Sequence, residues 1–356
     1  MNAPEIMFTV AISEIDLASA REAGRVEAYL AERPHSTPFH LPGWSRAVTR
    51  GTGQRSHYLI AERAGSIVGV LPLTHVRSMI VGNSLSSVGF AVDGGILADN
   101  DAAHDALAAA GWALAQRLNA QTFELRGGEM HGSDWFVDDT TYLAFARDLT
   151  ADHDTELAAI TKRQRAEVRR SLGNDLTVTT GTDARDRDAH YRVYSESVHN
   201  LGTPVFPARL FTAMLDELQD RADILTVWQG DRPLSSTLNL YWGGTMFPFW
   251  GGGVREARDV RANERMYYAM ACHAIDRGYR RLDLGRSKAG TGPAAFKKNF
   301  GYPSRPLTYW RRTLDGQPPR ITNPLDPKYA RKTELWKKLP RPLANLIGPY
   351  IARGLG

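Results

Sequence analysis

Cysteine is nearly absent: the 356-residue chain has one, Cys272. A single thiol excludes an intrachain disulfide and any zinc site built on two or more thiolates, and it fits a reducing compartment. Long apolar runs are missing too. The most apolar-leaning stretch, Ala102 to Leu118, is alanine-rich and interrupted by His104, Asp105, Gln116 and Arg117, so no membrane span is expected. Met1 to Leu17 hold Glu5, Glu14 and Asp16 but no Lys or Arg, and so lack the basic start of a secretory leader. The expectation is a cytoplasmic protein, with or without peripheral attachment at the inner membrane.

Catalytic signatures defined by spacing are also lacking. There is no G-x-S-x-G elbow, no H-E-x-x-H helix and no G-x-x-x-x-G-K-[ST] loop, and the glycines at 290 and 292 have no third partner to complete a dinucleotide fingerprint. Covalent catalysis is therefore not indicated, and Cys272, inside an amphipathic helical pattern, reads as an inert thiol. His190, His199 and His273 are scattered without metal-ligand spacing, so no metal is expected.

What is present is ordinary globular material, 42% hydrophobic and 23% charged, long enough for two domains. The formal net charge of +5 favours anionic partners. Two segments share one grammar. Ser56 to Arg63 and Ile67 to Thr74 read as a hairpin, Asp101 to Leu118 as a helix, and Thr122 to Leu125 as the next strand. Ile224 to Trp228, Leu234 to Trp242 and Thr245 to Trp250 then form a meander, followed by a helix from Asn263 to Arg277 and a strand from Arg281 to Leu284. The repeat predicts a duplicated α/β (α+β) architecture, each half a mixed sheet flanked by helices. The expected division is 1–150, 151–320 and a basic, proline-interrupted tail, 321–356. A helical stretch from Asp154 to Leu172 opens the second half, and a proline-marked run from Gln317 to Pro327 leaves it.

Two basic clusters stand out. Lys162 to Arg170 holds five basic residues in nine positions. Lys162, Arg165 and Arg169 share one helical side, where guanidinium forks could grip a phosphate chain or simply face solvent. The second cluster, Leu284 to Pro293 with Phe296 to Tyr302, combines glycines at 285, 290 and 292 with Arg286, Lys288, Lys297 and Lys298. Such a loop suits either anion capture or a structural turn. Asp283 alternates with Leu282 and Leu284 and could face a cleft as a base or lie in a salt bridge. Strict alternation would put Phe247 and Phe249 on one sheet face and Met246, Pro248 and Trp250 on the other. Gly251 to Gly253 would follow as room for a substrate chain or as a flexible turn.

At the second cluster the residues resemble a known family. Leu282-Asp-Leu-Gly-Arg-Ser-Lys288, the Gly-Thr-Gly at 290–292, Phe296-Lys-Lys-Asn-Phe-Gly301 and Leu307-Thr-Tyr309 resemble the C-terminal signature of FemAB-like acyltransferases. The Lys162 to Arg170 helix, Asn200 to Phe206, and Trp250-Gly-Gly-Gly leading to Asn263 are similar to further family segments in the expected order. The likeness covers roughly residues 35–312 and is strongest to the subgroup associated with exosortase and exopolysaccharide gene clusters. It implies two tandem GNAT-like domains that transfer an acyl or aminoacyl group, from acyl-CoA or aminoacyl-tRNA as co-substrate, to an amine on an envelope precursor, peptide or exopolysaccharide sugar. The Q/R-x-x-G-x-G/A pyrophosphate motif of CoA-using relatives is missing.

On this resemblance Asp283, Arg286 and Lys288 are the expected catalytic residues, and Arg165, Arg169, Trp250, Asn263, Lys297 and Tyr302 the expected substrate-binding ones. Both basic clusters are expected to converge on one polyanionic donor, with Lys297 and Tyr302 lining the same cleft. The alternative is a non-catalytic RNA- or glycan-binding assembly factor that keeps the fold. In the tail, Lys337, Lys338, Arg341 and Arg353 interleave with Leu335, Trp336, Leu343, Leu346 and Tyr350. That pattern fits either contact with an anionic membrane surface or packing on the body.

Overall fold

The computed structural model describes residues 9–78, 82–130, 132–319 and 327–355. In the first half the strands are β1 (Ala11–Glu14), β2 (Arg55–Arg63), β3 (Ser66–Ser78), β4 (Gly82–Ser86), β5 (Leu97–Ala98), β6 (Thr122–Arg126) and β7 (Phe136–Asp148). The helices of this half are α1 (Ala20–Ala31), α2 (Pro42–Thr52) and α3 (Asp101–Arg117). The second half contributes α4 (His153–Ala159), α5 (Lys162–Leu172), β8 (Thr177–Gly181), α6 (Ala184–Asn200), α7 (Ala208–Leu218), β9 (Ala222–Gln229), β10 (Arg232–Trp242) and β11 (Thr245–Gly253). It continues with α8 (Ala262–Asp276), β12 (Arg281–Lys288), α9 (Gly292–Asn299) and β13 (Ser304–Thr313), and the tail forms α10 (Pro327–Lys338) and α11 (Arg341–Ala352). Residues 320–326 of the proline-marked run lie outside the described residues.

Local chemistry sets these boundaries. Asn100 accepts the Ala103 amide to start α3, and Asp183 with Asp186 forms a reciprocal cap on α6. Gly53, at φ 75°, closes α2.

The strands form one mixed sheet in the order β1-β2-β3-β4-β6-β13-β7-β12-β11-β10-β9-β8, with β5 paired to β3. This order interleaves the halves. Strand β13, from the second half, inserts between β6 and β7 of the first, and β7 in turn pairs with β12. A core shared by both halves seals the junction: Phe39, Trp44 and Tyr58 pack in one cluster with Phe211, Met214, Leu240 and Trp250. Across it, Arg46 and Arg50 of α2 both pair with Glu217 of α7.

Two irregularities shape the middle of the sheet. Strands β11 and β12 are parallel neighbours only through Thr245↔Arg281 and Met246↔Leu282, and then they part. Strand β12 is bulged against β7, so that Leu284 and Gly285 together oppose Phe145. Where β11 leaves β12, a cleft opens at the seam between the halves.

Candidate functional site

The cleft is narrow, with a volume of about 20 Å³. Phe247 and Phe249 from β11, with Phe39 from the turn before α2, supply its apolar wall. Asp283 and Gly285 of β12, Asp93 from the loop after β4, and Arg305 of β13 supply its polar groups.

Each carboxylate is held by a local device. Asp93 accepts from the Gly94 amide at 2.9 Å, and it lies so close over Gly127 that a Cβ there would collide with Oδ1. Gly127, at φ 82°, is therefore needed both for its turn and for the approach of Asp93. Asp283 accepts from the Gly285 amide at 2.8 Å, which closes the bulge in β12. The bulge puts Gly285 at φ 62°, a conformation that favours glycine. From the opposite sheet face Lys297 of α9 donates to the carbonyls of Leu284, at 2.6 Å, and Arg286, at 3.1 Å. The irregular segment is thus fixed on both sides.

Burial raises the proton affinity of both carboxyls. For Asp93 the Gly94 amide and the Arg305 charge oppose the shift; for Asp283 the Gly285 amide and Arg305 oppose it, and the Asp93 charge adds to it. Arg305, exposed at the mouth, is the cation common to both. Burial also pushes the Lys297 ammonium down to about 8, against the pull of Asp283. A pair of carboxyls that feel one another and hold protons above the usual carboxylate range is suited to accept a proton from an ammonium-forming nucleophile.

Arg286 and Lys288 lie on the Asp283 face of the sheet, over aromatic rings of the seam. The Arg286 guanidinium sits 4.6 Å from the Tyr142 ring centroid and donates to the Tyr309 hydroxyl at 2.6 Å. That hydroxyl donates onward to the Val92 carbonyl at 3.0 Å, next to Asp93. Arg286 therefore braces the cleft wall through Tyr309. Lys288 lies 5.8 Å from the Tyr142 centroid, and burial and the Arg286 charge lower its proton affinity.

The expected convergence of Arg165 and Arg169 with Arg286 and Lys288 does not occur. Arg286 is level with Ala144, which packs with Leu307 and Tyr309, whereas α5 sends Val168 into the core on the other face, beside Leu282, Leu284 and Phe300. Alternation along β7 explains the separation, because Ala144 points opposite to its neighbours Leu143 and Phe145. Arg165 donates to the Ala158 carbonyl at 2.8 Å, Arg169 is exposed, and α5 lies against α8 through Glu167 and Arg261.

The four other expected binders lie elsewhere. Trp250 stacks on Trp44 with ring centroids 5.6 Å apart, within the shared core. It reaches the same face as Phe247, contrary to simple alternation, because Leu238 pairs with Trp250 and Asn239 with Pro248, leaving Phe249 as an extra bulged residue. Asn263 accepts from Ser235 at 2.9 Å at the start of α8, where Gly253 has no room for a Cβ. Gly252 likewise admits Ser197 of α6, so these two glycines serve helix packing. Tyr302 is buried in the second core with the Arg147 guanidinium 4.6 Å from its ring centroid, and Lys297 lies behind the bulge, so neither lines the cleft.

Sequence reading missed Asp93, Phe39 and Arg305. A signal existed for the first: Asp93-Gly-Gly95 and Arg126-Gly-Gly128 are both glycine-rich turns, and in the fold they lie against each other. Nothing local marks Phe39 or Arg305, which reach the cleft through tertiary contacts alone. Cys272 is half-buried and its thiol is pushed up to about 11 by burial, consistent with an unreactive side chain.

Comparison with known proteins bears on the same region. Residues 158–298 match the model of the acetyltransferase (GNAT) domain family. No curated protein matches the chain. Among solved structures, FemX is similar at a TM-score of 0.65 and 16% identity, over 85% of this chain and 98% of its own. A tandem GNAT protein from the clavulanic acid biosynthesis pathway is similar at 0.53 and 12%, over 87% of this chain and 99% of its own. The C-terminal domain of a putative lysylphosphatidylglycerol synthetase from Agrobacterium fabrum is similar at 0.55 and 12%, over 83% of this chain and 94% of its own. At these identities the likeness is one of fold, and the fold is that of tandem GNAT domains.

Proposed function

We propose that the chain is an N-acyltransferase or aminoacyltransferase that moves an acyl group from an activated ester or thioester to an amine. The observation that carries this reading is the cleft at the β12 bulge, where Asp283 and Asp93 share the field of Arg305. The match of residues 158–298 to an acetyltransferase domain supports it from a separate direction.

The amine nitrogen attacks the carbonyl carbon, so a C–N bond forms as the C–O or C–S bond to the donor breaks. Asp283 takes the proton that the nitrogen loses, and the leaving alkoxide or thiolate recovers a proton from that carboxyl or from solvent. Alignment of the two reactants supplies much of the rate, with effective molarities equivalent to about 7–11 kcal/mol. Arg305 at the mouth would attract the anionic donor, and the Arg286–Tyr309–Val92 chain would keep the Asp93 loop in place. The donor is acyl-CoA or aminoacyl-tRNA; the acceptor is an amine on an envelope precursor, a peptide or an exopolysaccharide sugar. Fold neighbours that include a putative lysylphosphatidylglycerol synthetase support the envelope reading.

The test is incubation of the purified full chain with labelled aminoacyl-tRNA or acyl-CoA and a panel of amino sugars and peptides, read by mass spectrometry. An amide-linked product is expected. Saturable binding of both donors without any product would replace this reading with that of a binding protein.

A further inference from the structure

Helix α11 is attached to the body by its smallest residues. Ala344, Gly348 and Ala352 are its buried positions, and a Cβ on Gly348 would lie 3.2 Å from the Val205 backbone nitrogen. Both ends are tied down. Near the start Arg341 pairs with Glu196 of α6, and at the far end the Arg353 carbonyl accepts from Gln54 at 2.8 Å. Gln54 belongs to the first half of the chain, so the helix spans from α6 to the segment leading into β2.

Fixing the small face on the body leaves the large apolar residues outside. Leu343, Leu346 and Tyr350, at i, i+3 and i+7, form one outward stripe with exposures of 43%, 67% and 69%. Leu335 of α10 is likewise 66% exposed. The shared core shows that this chain buries such residues where it has something to cover them. The segment itself is basic: from Leu335 to Gly356 there is no Asp or Glu, while Lys337, Lys338, Arg341 and Arg353 are present, with Arg341 engaged to Glu196. Lys337 does meet Glu334, but in an exposed pair of little strength. A second copy of the chain laid stripe to stripe would oppose Lys338 and Arg353 with the same cations again, which charge complementarity disfavours. Among the described residues no helix is long and apolar enough to cross a membrane.

We propose that α10 and α11 form a docking surface for an anionic lipid leaflet. Leu343, Leu346 and Tyr350 enter the headgroup boundary while the flanking Lys and Arg residues face the phosphates. Because α11 is already folded and held on the body, docking needs no ordering of the helix. The inference is independent of the transfer reaction.

The experiment is sedimentation of the full chain with vesicles of phosphatidylcholine alone and of phosphatidylcholine mixed with phosphatidylglycerol. Binding is expected to the mixed vesicles at low salt and to be lost at high salt. Leu346→Glu with Tyr350→Glu is expected to abolish it, and Lys338→Ala to weaken partitioning about fivefold. Leu346→Gln alone, a milder exposed change, serves if the double variant is misfolded by circular dichroism, and it too is expected to weaken binding. Absence of binding to the mixed vesicles, or binding unaffected by these substitutions, overturns the proposal. So does a dimer in sedimentation velocity that the substitutions dissociate while lipid binding is missing.

Discussion

Asp283 is the base of the proposed reaction, and its two proposed properties can be separated by one substitution. Asp283→Asn keeps an acceptor for the Gly285 amide but removes the base, so transfer is expected to fall about 10²–10⁴-fold with the acid limb of the pH–rate profile flattened. Stability should move the other way. The folded state holds the Asp283 proton above the ordinary value of 3.8, so between that pH and its raised pKa it binds more protons than the unfolded chain, and stability falls as pH rises through that window. Asp283→Asn is therefore expected to raise Tm at neutral pH, with the gain vanishing below pH 3.8. Equal Tm values at both pH extremes would show that the wild-type carboxyl is not under strain. At this scale the sequence made Asp283 legible, since alternation with Leu282 and Leu284 already turned it away from the core. Its partner Asp93 was not legible, because it lies in a loop brought over Gly127 by packing.

The bulged strand is the element that builds the site. Two residues opposite one let β12 keep Leu282 and Leu284 in the core and still present both Asp283 and Arg286 on the other face. Gly285→Ala would place a Cβ at φ 62°. The expected cost is about 1–2 kcal/mol of stability, measured by urea unfolding, with a larger loss of transfer because the bulge sets the aim of Asp283. Activity retained at reduced stability would show that the bulge is only structural. Bulges also mark where pattern reading stopped working. In β11 the extra residue Phe249 turned Trp250 from the expected face to the core beside Trp44. Strands β2, β3, β6 and β9 to β12 followed from composition and turns, whereas β7 and β13 did not; nor did side-chain direction beyond the bulge, because one inserted residue inverts every later position.

For the whole molecule the interleaved sheet predicts a single unit of unfolding. Separating 1–150 from 151–356 would strip β13 from β6 and β7 and open the shared core, exposing Phe39, Trp44, Phe211 and Trp250. The two fragments expressed apart are expected to aggregate and, expressed together, to reassemble. Urea unfolding of the full chain should give coincident transitions by circular dichroism and tryptophan fluorescence. Two resolved transitions would instead assign the halves separate stabilities.

Composition and periodicity by themselves determined part of the elements: the first hairpin, the later meander, the helices at 101–117 and 262–276, the repeated order, and the glycine-rich basic segment at the end of β12, but not α1, α2, α6, α7, β7 or β13. These follow from local chemistry, namely side-chain spacing, caps and turns, which neighbouring residues decide. The tertiary structure alone decided which groups share a cavity. Strand order placed β13 and β7 between the halves, and sheet faces then assigned Arg286 to the seam and α5, with Arg165, to the opposite face. Arg165 and Arg169 were thereby parted from Arg286 and Lys288 by the thickness of a sheet, a distinction that no one-dimensional spacing carries.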